Sequence, residues 1–247
     1  MFKKSLVLPF LFVMSLFYTN CIFAQRRIKG EGNLITQKRE VGAFSKISLE
    51  AFGNVTFIQG TTPGITVETY QNVADLIETV VEGNTLRVRQ KKNSFNHYYD
   101  FDNVKLNIVI TNPTCDEINL SGSLNFATNG KITSPDLKIN LSGSGNMNFD
   151  AINSTKTTIY LSGSGEITSK GSSDIVDIIL SGSGNIIFND LQTRSTKIKI
   201  SGSGNVECNA TESYDFKISG SGSIGYKKST ASVNSKVSGS GNIESKN

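Results

Sequence analysis

The chain has 247 residues, of which 37% are apolar and 23 are glycine, and its formal net charge is +4. The apolar content suffices for a core, and the abundance of glycine favours short strands and tight turns over helices. A charge this small gives no reason to expect nucleic acid as a partner.

Residues 1–24 have the pattern of a secretory signal peptide. A basic start, "MFKK", precedes a twelve-residue apolar run at 6–17, and Ala24 offers a cleavage point. The run is too short to span a membrane comfortably, and no longer apolar stretch follows. We therefore predict an exported mature chain, without a transmembrane span, in the periplasm, on the cell surface or secreted. Lipidation at Cys21 is the alternative, although Asn20 replaces the small residue expected before such a cysteine.

Residues 30–113 form an irregular N-terminal half with strand-like alternation. "FSKISLEAFGNVTFIQG" (44–60) places apolar residues on one face before and after "GNV", and "GITVET" is a further strand. "NVADLIETVVEGNTLRVRQ" (72–90) predicts a short helical turn, a strand, an "EGN" turn and a strand. "KLNIVITNP" (105–113) alternates again.

Basic residues cluster at "RVRQKK" (87–92), where Arg87 and Arg89 alternate with Leu86 and Val88. This alternation is typical of an exposed strand face. A weak contact with an anionic glycan is the alternative interpretation.

The segment "NSFNHYYDFDN" (93–103) interrupts the regular strands and is rich in aromatic residues. We interpret it first as an insertion that covers the apolar surface of a coil. The alternative is a contact loop for a sugar or a protein, because exposed aromatic rings serve both purposes. Its candidate contact residues are Phe95, His97, Tyr98, Tyr99 and Phe101. A metal site built from His97, Asp100 and Asp102 is the weakest interpretation.

A Ser/Gly tract recurs seven times in the chain. "SGSGN" occurs at 142–146, 181–185, 201–205 and 238–242, with variants at 121–125, 162–166 and 219–223. The first serines of consecutive tracts are 18 to 21 residues apart, and such a period marks a repeat architecture. Apolar residues alternate before and after each tract. Isolated hairpins would fit locally, but the constant period favours coils of about 20 residues that stack with equivalent strands in parallel.

We predict that the tract glycines form the corners of these coils. Glycine adopts positive φ easily and has no side chain to clash at a sharp corner. The predicted corner positions are Gly143, Gly145, Gly163, Gly165, Gly182, Gly184, Gly202, Gly204, Gly220, Gly222, Gly239 and Gly241. A phosphate-binding loop is not expected, because no helix follows any tract.

Taken together, "FSKISLEAFGNVTFIQG", "DLIETVVEGNTLRVRQ", "KLNIVITNP" and the "LSGSGNM" repeats resemble the putative auto-transporter adhesin, head GIN domain family, a domain of unknown function common in Bacteroidetes. The resemblance covers residues 30–247. It implies an all-β fold, namely a right-handed parallel β-helix, and a location at the cell envelope. It implies no particular reaction. We therefore expect one β-solenoid domain over 25–247, with the regular repeats at 114–247.

No catalytic centre, metal or cofactor is predicted. Equivalent positions after the tracts hold acids in no two adjacent coils, and the chain has a single histidine, His97. Cys208 falls where the repeat requires an inward apolar residue, so we interpret it as a small buried side chain. A bridge between Cys115 and Cys208 is the alternative.

The sequence favours a non-catalytic adhesin or recognition module at the cell envelope, which uses an extended β-helix surface. The partner is left open between a glycan and an envelope protein. A structural envelope scaffold without a ligand and a carbohydrate-active β-helix enzyme are the two alternatives.

Overall fold

The computed structural model describes residues 27–92 and 99–246, and of these described residues 67% lie in strands and 2% in helix. The elements of the N-terminal half are β1 (Arg27–Lys29), β2 (Leu34–Arg39), β3 (Lys46–Glu50), β4 (Asn54–Gln59), β5 (Gly64–Tyr70), α1 (Gln71–Ala74), β6 (Ile77–Glu82), β7 (Thr85–Gln90), β8 (Asp100–Asp102) and β9 (Leu106–Asn112). The repeats contain β10 (Glu117–Leu120), β11 (Asn125–Thr128), β12 (Lys131–Thr133), β13 (Asp136–Leu141), β14 (Asn146–Leu161), β15 (Glu166–Leu180), β16 (Asn185–Ile200), β17 (Asn205–Ile218), β18 (Ser223–Lys227), β19 (Ser232–Val237) and β20 (Asn242–Lys246). The segment that carries the signal-peptide and lipidation hypotheses lies outside the described residues.

Coils of about 20 residues stack in parallel and form a β-solenoid of about six turns. Each of the long strands β14 to β17 runs from the end of one Ser/Gly tract to the start of the next, so it supplies most of a coil. Neighbouring coils are paired in register: Ile139 of β13 lies opposite Ile118 of β10 and Ile159 of β14. The predicted β-solenoid of stacked coils is confirmed.

Two sheets meet at the tract corner. The pre-tract sheet comprises β7, β3, β10, β13, residues 156–161, 175–180, 195–200 and 213–218, and β19. The post-tract sheet comprises β9, β4, β11, residues 146–149, 166–168, 185–187 and 205–208, β18 and β20. The residues that return from the second sheet to the first pair between coils as well, as β12 does with Ala151–Asn153.

The core follows from period two in the strands, because alternate side chains of both sheets point inward. One inward file of the pre-tract sheet has isoleucine in six successive coils and phenylalanine in the next, and all its members are buried: Ile47, Ile118, Ile139, Ile159, Ile178, Ile198 and Phe216. Each side chain of this size contributes about 1.5–3 kcal/mol when it is withdrawn from water. Stacking therefore buries a continuous apolar column that no coil could bury alone.

The N-terminal end of the stack is covered by antiparallel structure. β6 and β7 form a hairpin, and β5 pairs antiparallel with both β2 and β9. The short helix α1 buries Val73 and Ala74, and the Arg39 guanidinium donates hydrogen bonds to the carbonyl oxygens of Ala74 and Ile77. The predicted succession of helical turn, strand, turn and strand over 72–90 is confirmed. Across the two described ranges, no helix has the length and apolar character needed to cross a membrane.

The C-terminal end of the stack closes differently. The rings of Tyr214, Phe216 and Tyr226 contact one another, with centroids 5.1 to 5.5 Å apart. In the last coil, the inward register positions next to Phe216 and Tyr226 are occupied by Ser235 and Ser245. The aromatic cluster therefore closes the core, and the final strands β19 and β20 are largely solvent-exposed.

Candidate binding surface

The tract glycines lie directly against the backbone of the preceding coil. A Cβ atom added at Gly145 would overlap the carbonyl oxygen of Leu124, and one added at Gly163 would overlap that of Gly143. Of the twelve predicted corner glycines, only Gly239 has a left-handed backbone, with φ at 120°. Positive φ was therefore the wrong reason for most of these glycines, and close approach between coils is the physical one. The corner role itself stays a prediction, for which substitution is the test.

Hydrogen bonds join successive tracts along the corner. The backbone N–H of Ser144 donates to the Gly122 carbonyl oxygen at 3.0 Å, and equivalent bonds recur in later coils. Asparagine side chains form a second ladder, in which Asn146 donates to Asn125 at 3.3 Å and Asn125 donates to Asn54 at 3.4 Å. Backbone groups and asparagine amides of the corner therefore bind the neighbouring coil.

Only part of the candidate contact loop can be placed. Phe95, His97 and Tyr98 lie outside the described residues. Phe101 is half-buried and packs on Phe52 with ring centroids 4.6 Å apart, which agrees with a covering role. Tyr99 lines a depression of about 360 Å³ beside the first tract. The contact role of this loop stays a prediction.

The basic strand at 87–92 has acidic partners for its two arginines. Arg89 lies 2.6 Å from Glu78, and this hydrogen bond raises the pKa of the guanidinium. Arg87 forms ion pairs with Glu50 and Glu82. These contacts favour the interpretation as an exposed strand face over a contact with an anionic glycan.

A groove of about 900 Å³ lies on the outer surface of the pre-tract sheet. It crosses several coils, from Lys46 on β3 to Lys199 on β16. Two files of outward side chains run along this surface, because outward residues of successive coils are in register. We call them the alternating file and the outer file.

The alternating file changes sign between coils and consists of Lys46, Glu117, Lys138, Thr158, Asp177, Lys197 and Asp215. Glu117 lies 3.1 Å from Lys46 and 3.6 Å from Lys138, and Lys197 lies 2.9 Å from Asp215. Partial burial by itself would raise the pKa of Glu117, but hydrogen bonds from Lys46 and Asn119 and the two lysine charges outweigh it and lower that pKa. The charged side chains of this file are thus fixed by ion pairs with side chains of adjacent strands in the same sheet.

The outer file lies at the residue two positions before each tract and consists of Asn119, Asn140, Tyr160, Ile179, Lys199, Lys217 and Lys236. Tyr160 and Ile179 are adjacent in the file and remain 39% and 36% exposed. An aromatic and an aliphatic side chain therefore stand together on a rigid sheet in contact with water. The pair was not predicted, because most outward positions of these strands are polar or charged. Alignment of the repeats on their first serine would have placed both residues in one column.

The described residues include no metal-binding cluster and no reactive thiol. Within residues 27–92 and 99–246, no group of three or more His, Cys, Asp or Glu side chains is placed to hold a metal ion. Cys115 and Cys208 are both buried free thiols, so the alternative of a bridge between them is not realised. Burial raises the pKa of each thiol, which makes both poor nucleophiles.

The coils, the Ser/Gly corners and the open outer groove define a β-solenoid protein with an exposed sheet surface. The chain belongs to the family described as putative auto-transporter adhesin, head GIN domain, whose profile matches residues 43–230. The resemblance noted in the sequence is thereby confirmed. No curated protein matches the chain.

Solved structures of similar proteins share this fold. A putative adhesin from Bacteroides fragilis is 28% identical, with a TM-score of 0.83 over 89% of this chain and all of its own. A putative lipid-binding protein from Parabacteroides distasonis is also 28% identical, with a TM-score of 0.77 over 90% of this chain and all of its own. A putative adhesin from the same species, 23% identical with a TM-score of 0.72 over 89% of this chain and all of its own, supports the fold alone.

Proposed function

We propose that this protein is an exported, non-catalytic recognition module of the cell envelope, which binds a glycan or an envelope protein through its pre-tract sheet. The observation that carries the proposal is the exposed pair Tyr160 and Ile179 beside an open groove that crosses several coils. An aromatic ring on a rigid surface can stack on a sugar ring or anchor a protein contact. Membership of a family of putative adhesins supports the same function.

The distribution of charge supports a function without catalysis. General acid–base chemistry on a glycan requires two carboxyl groups at a defined separation across one bond of the substrate. On the pre-tract sheet, Glu117, Asp177 and Asp215 each form an ion pair with a lysine of a neighbouring coil. These carboxylates therefore stabilise the contact between neighbouring coils.

The test is a binding array of glycans and envelope proteins, followed by affinity measurements with variants. We expect the double variant Tyr160→Ala with Ile179→Ala to lose about tenfold or more in affinity for the ligand that the array reveals. The matched control is Ile187→Ala, which removes a side chain of equal exposure, 36%, from the post-tract sheet and should leave affinity unchanged.

A third variant, Tyr99→Ala, tests the contact loop in the same assay. Loss of affinity in Tyr99→Ala with full affinity in the double variant would move the site to that loop. Absence of any ligand on the array would contradict recognition and favour the structural scaffold. The structural scaffold is the second candidate function. Most charged side chains of the pre-tract sheet form ion pairs with side chains of neighbouring coils, so they stabilise the stack and are not free to bind a ligand.

A further inference from the structure

Three lysines stand in single file at the C-terminal end of the outer file. Lys199 lies opposite Lys217 in the neighbouring coil, and Lys217 lies opposite Lys236 in the last one. All three side chains are exposed. We call these residues the lysine file.

The lysine file differs from the neighbouring alternating file in the sign of its charges. Like charges directly opposite each other destabilise a sheet, and the alternating file avoids this by changing sign from coil to coil. The lysine file repeats the same charge three times. The stability of the sheet therefore does not explain why three lysines occupy these positions.

The carboxylates of the adjacent alternating file are already engaged by other groups. Asp215 pairs with Lys197 at 2.9 Å and accepts a hydrogen bond from the Asn234 amide, and Asp177 pairs with Lys156 at 3.3 Å. Among the residues that the structure describes, Lys199 and its two neighbours in the lysine file form no ion pair. The file thus presents three positive charges without an internal counterion.

The lysine file continues without a break into the exposed apolar pair. Tyr160, Ile179 and Lys199 occupy successive coils at the same register position. At about 4.8 Å per coil, the distance from Tyr160 to Lys236 is roughly 19 Å along the stack. The result is a narrow strip with a ring for stacking at one end and cations at the other.

The width of this strip argues for a linear ligand. In the neighbouring alternating file, Asp177 flanks Ile179, Lys197 flanks Lys199 and Asp215 flanks Lys217. A broad anionic plane such as a bilayer would therefore meet the repulsive charges of the two aspartates as well as attractive ones. A single polymer chain that runs along the stack would contact the lysines and avoid the acids. The lysines repeat once per coil, about 4.8 Å apart along the strip.

We infer that the outer file, from Tyr160 to Lys236, is the binding track for a linear acidic polysaccharide. Its carboxylate or sulfate groups would lie on Lys199, Lys217 and Lys236, and one of its sugar rings would stack on Tyr160. This inference rests on the proposed recognition function and specifies its ligand class. The neutral part of the track contributes contact area, and the lysine file contributes selectivity for charge.

The experiment measures the affinity of the purified protein for oligogalacturonates and heparin-derived oligosaccharides of increasing length. The fully methyl-esterified oligogalacturonate serves as the uncharged control with the same backbone. We expect binding of at least one acidic series, an affinity that rises with length until the oligomer covers the track, and weakening by salt.

The variants separate the track from general positive charge. K199Q/K217Q/K236Q should lower the affinity by about tenfold, because each exposed ion pair contributes modestly. The matched control K38Q/K131Q/K170Q removes three exposed lysines elsewhere and should retain full affinity. K199R/K217R/K236R keeps the charge and should bind, while unchanged thermal midpoints verify folding in all variants.

Equal loss in both glutamine variants, equal binding of the esterified oligomer, or no binding of either acidic series would overturn the inference. Vesicles of phosphatidylcholine and phosphatidylglycerol form a separate arm, and binding to vesicles instead of oligomers would reject the polysaccharide in favour of a lipid surface. A different ligand on the array would leave the recognition function intact while rejecting this track. If no ligand on the array bound, both the recognition function and the binding track would be rejected.

Discussion

At the residue scale, the tract glycines show how a repeated sequence can serve packing instead of chemistry. The second glycine of each full tract except the last is buried, as Gly145 and Gly165 are, and the carbonyl of the previous coil occupies the space where a Cβ would be. Each corner therefore stacks on the one before it with backbone hydrogen bonds intact. A side chain at this position would force two coils apart.

The substitution Gly145→Val tests this packing. Its Cβ would overlap the Leu124 carbonyl oxygen, and overpacking of a close-packed site typically costs about 1–3 kcal/mol. We expect a loss of that size in the free energy of unfolding, measured by urea denaturation. Gly42→Val is the control, because Gly42 is exposed and no atom lies within 4 Å of its added Cβ. Equal stability of the two variants would contradict the packing role.

At the element scale, the strands of the pre-tract sheet use their two faces differently. Inward positions are mostly Ile or Leu, so that each coil extends the core, whereas the alternating file uses opposite charges to bridge neighbouring coils. Glu117 illustrates the second device, since its carboxylate lies between Lys46 and Lys138 of the adjacent strands. The side chain is only 18% exposed, so solvent screens these contacts less than those of a free surface pair.

The pH dependence of stability should reveal the contribution of Glu117. Its pKa is lower in the folded state, so its contribution is present above the unfolded pKa of about 4.3 and is lost as the pH falls through the folded value. We expect Glu117→Gln to be about 1 kcal/mol less stable than the parent protein at neutral pH. The difference should shrink below about pH 4.

Urea titrations of both proteins between neutral and acid pH provide the measurement. Glu40→Gln is the control, because Glu40 is exposed and has no ion pair among residues 27–92 and 99–246. A stability difference for Glu117→Gln that stays constant down to acid pH would rule out the charge as its cause.

At the scale of the whole molecule, stability is distributed along a one-dimensional stack. A coil in the middle contacts neighbours on both sides, whereas the last coil contacts one. Leu161 and Val237 occupy the same inward file, but Leu161 is 1% exposed in a central coil and Val237 is 43% exposed in the last one. The contribution of an inward apolar side chain to the free energy of unfolding therefore depends on whether its coil lies in the middle or at the end of the stack.

This difference predicts unequal costs for two truncations in one file. Leu161→Ala should lower the free energy of unfolding by about 2–5 kcal/mol, because it leaves a cavity between two coils. Val237→Ala should change it by less than about 0.5 kcal/mol, because water already reaches the side chain. Calorimetry or urea denaturation measures both, and a cost at Val237 comparable with that at Leu161 would show that the last coil is covered in solution.

The repeat period and the alternation of apolar residues were sufficient to predict the solenoid, its coil length and its inward files, because both signals are local in the chain. The reason for glycine at the corners was not predictable, since the clash that excludes other residues comes from a carbonyl about 20 residues earlier. The same holds for the outer surface. Tyr160, Ile179 and the lysine file are separate residues in the sequence, and only stacking in register places them side by side. Alignment of the repeats can place these residues in one column, but whether a side chain is exposed and whether its charge is paired depend on neighbours from other coils, which only the folded stack shows.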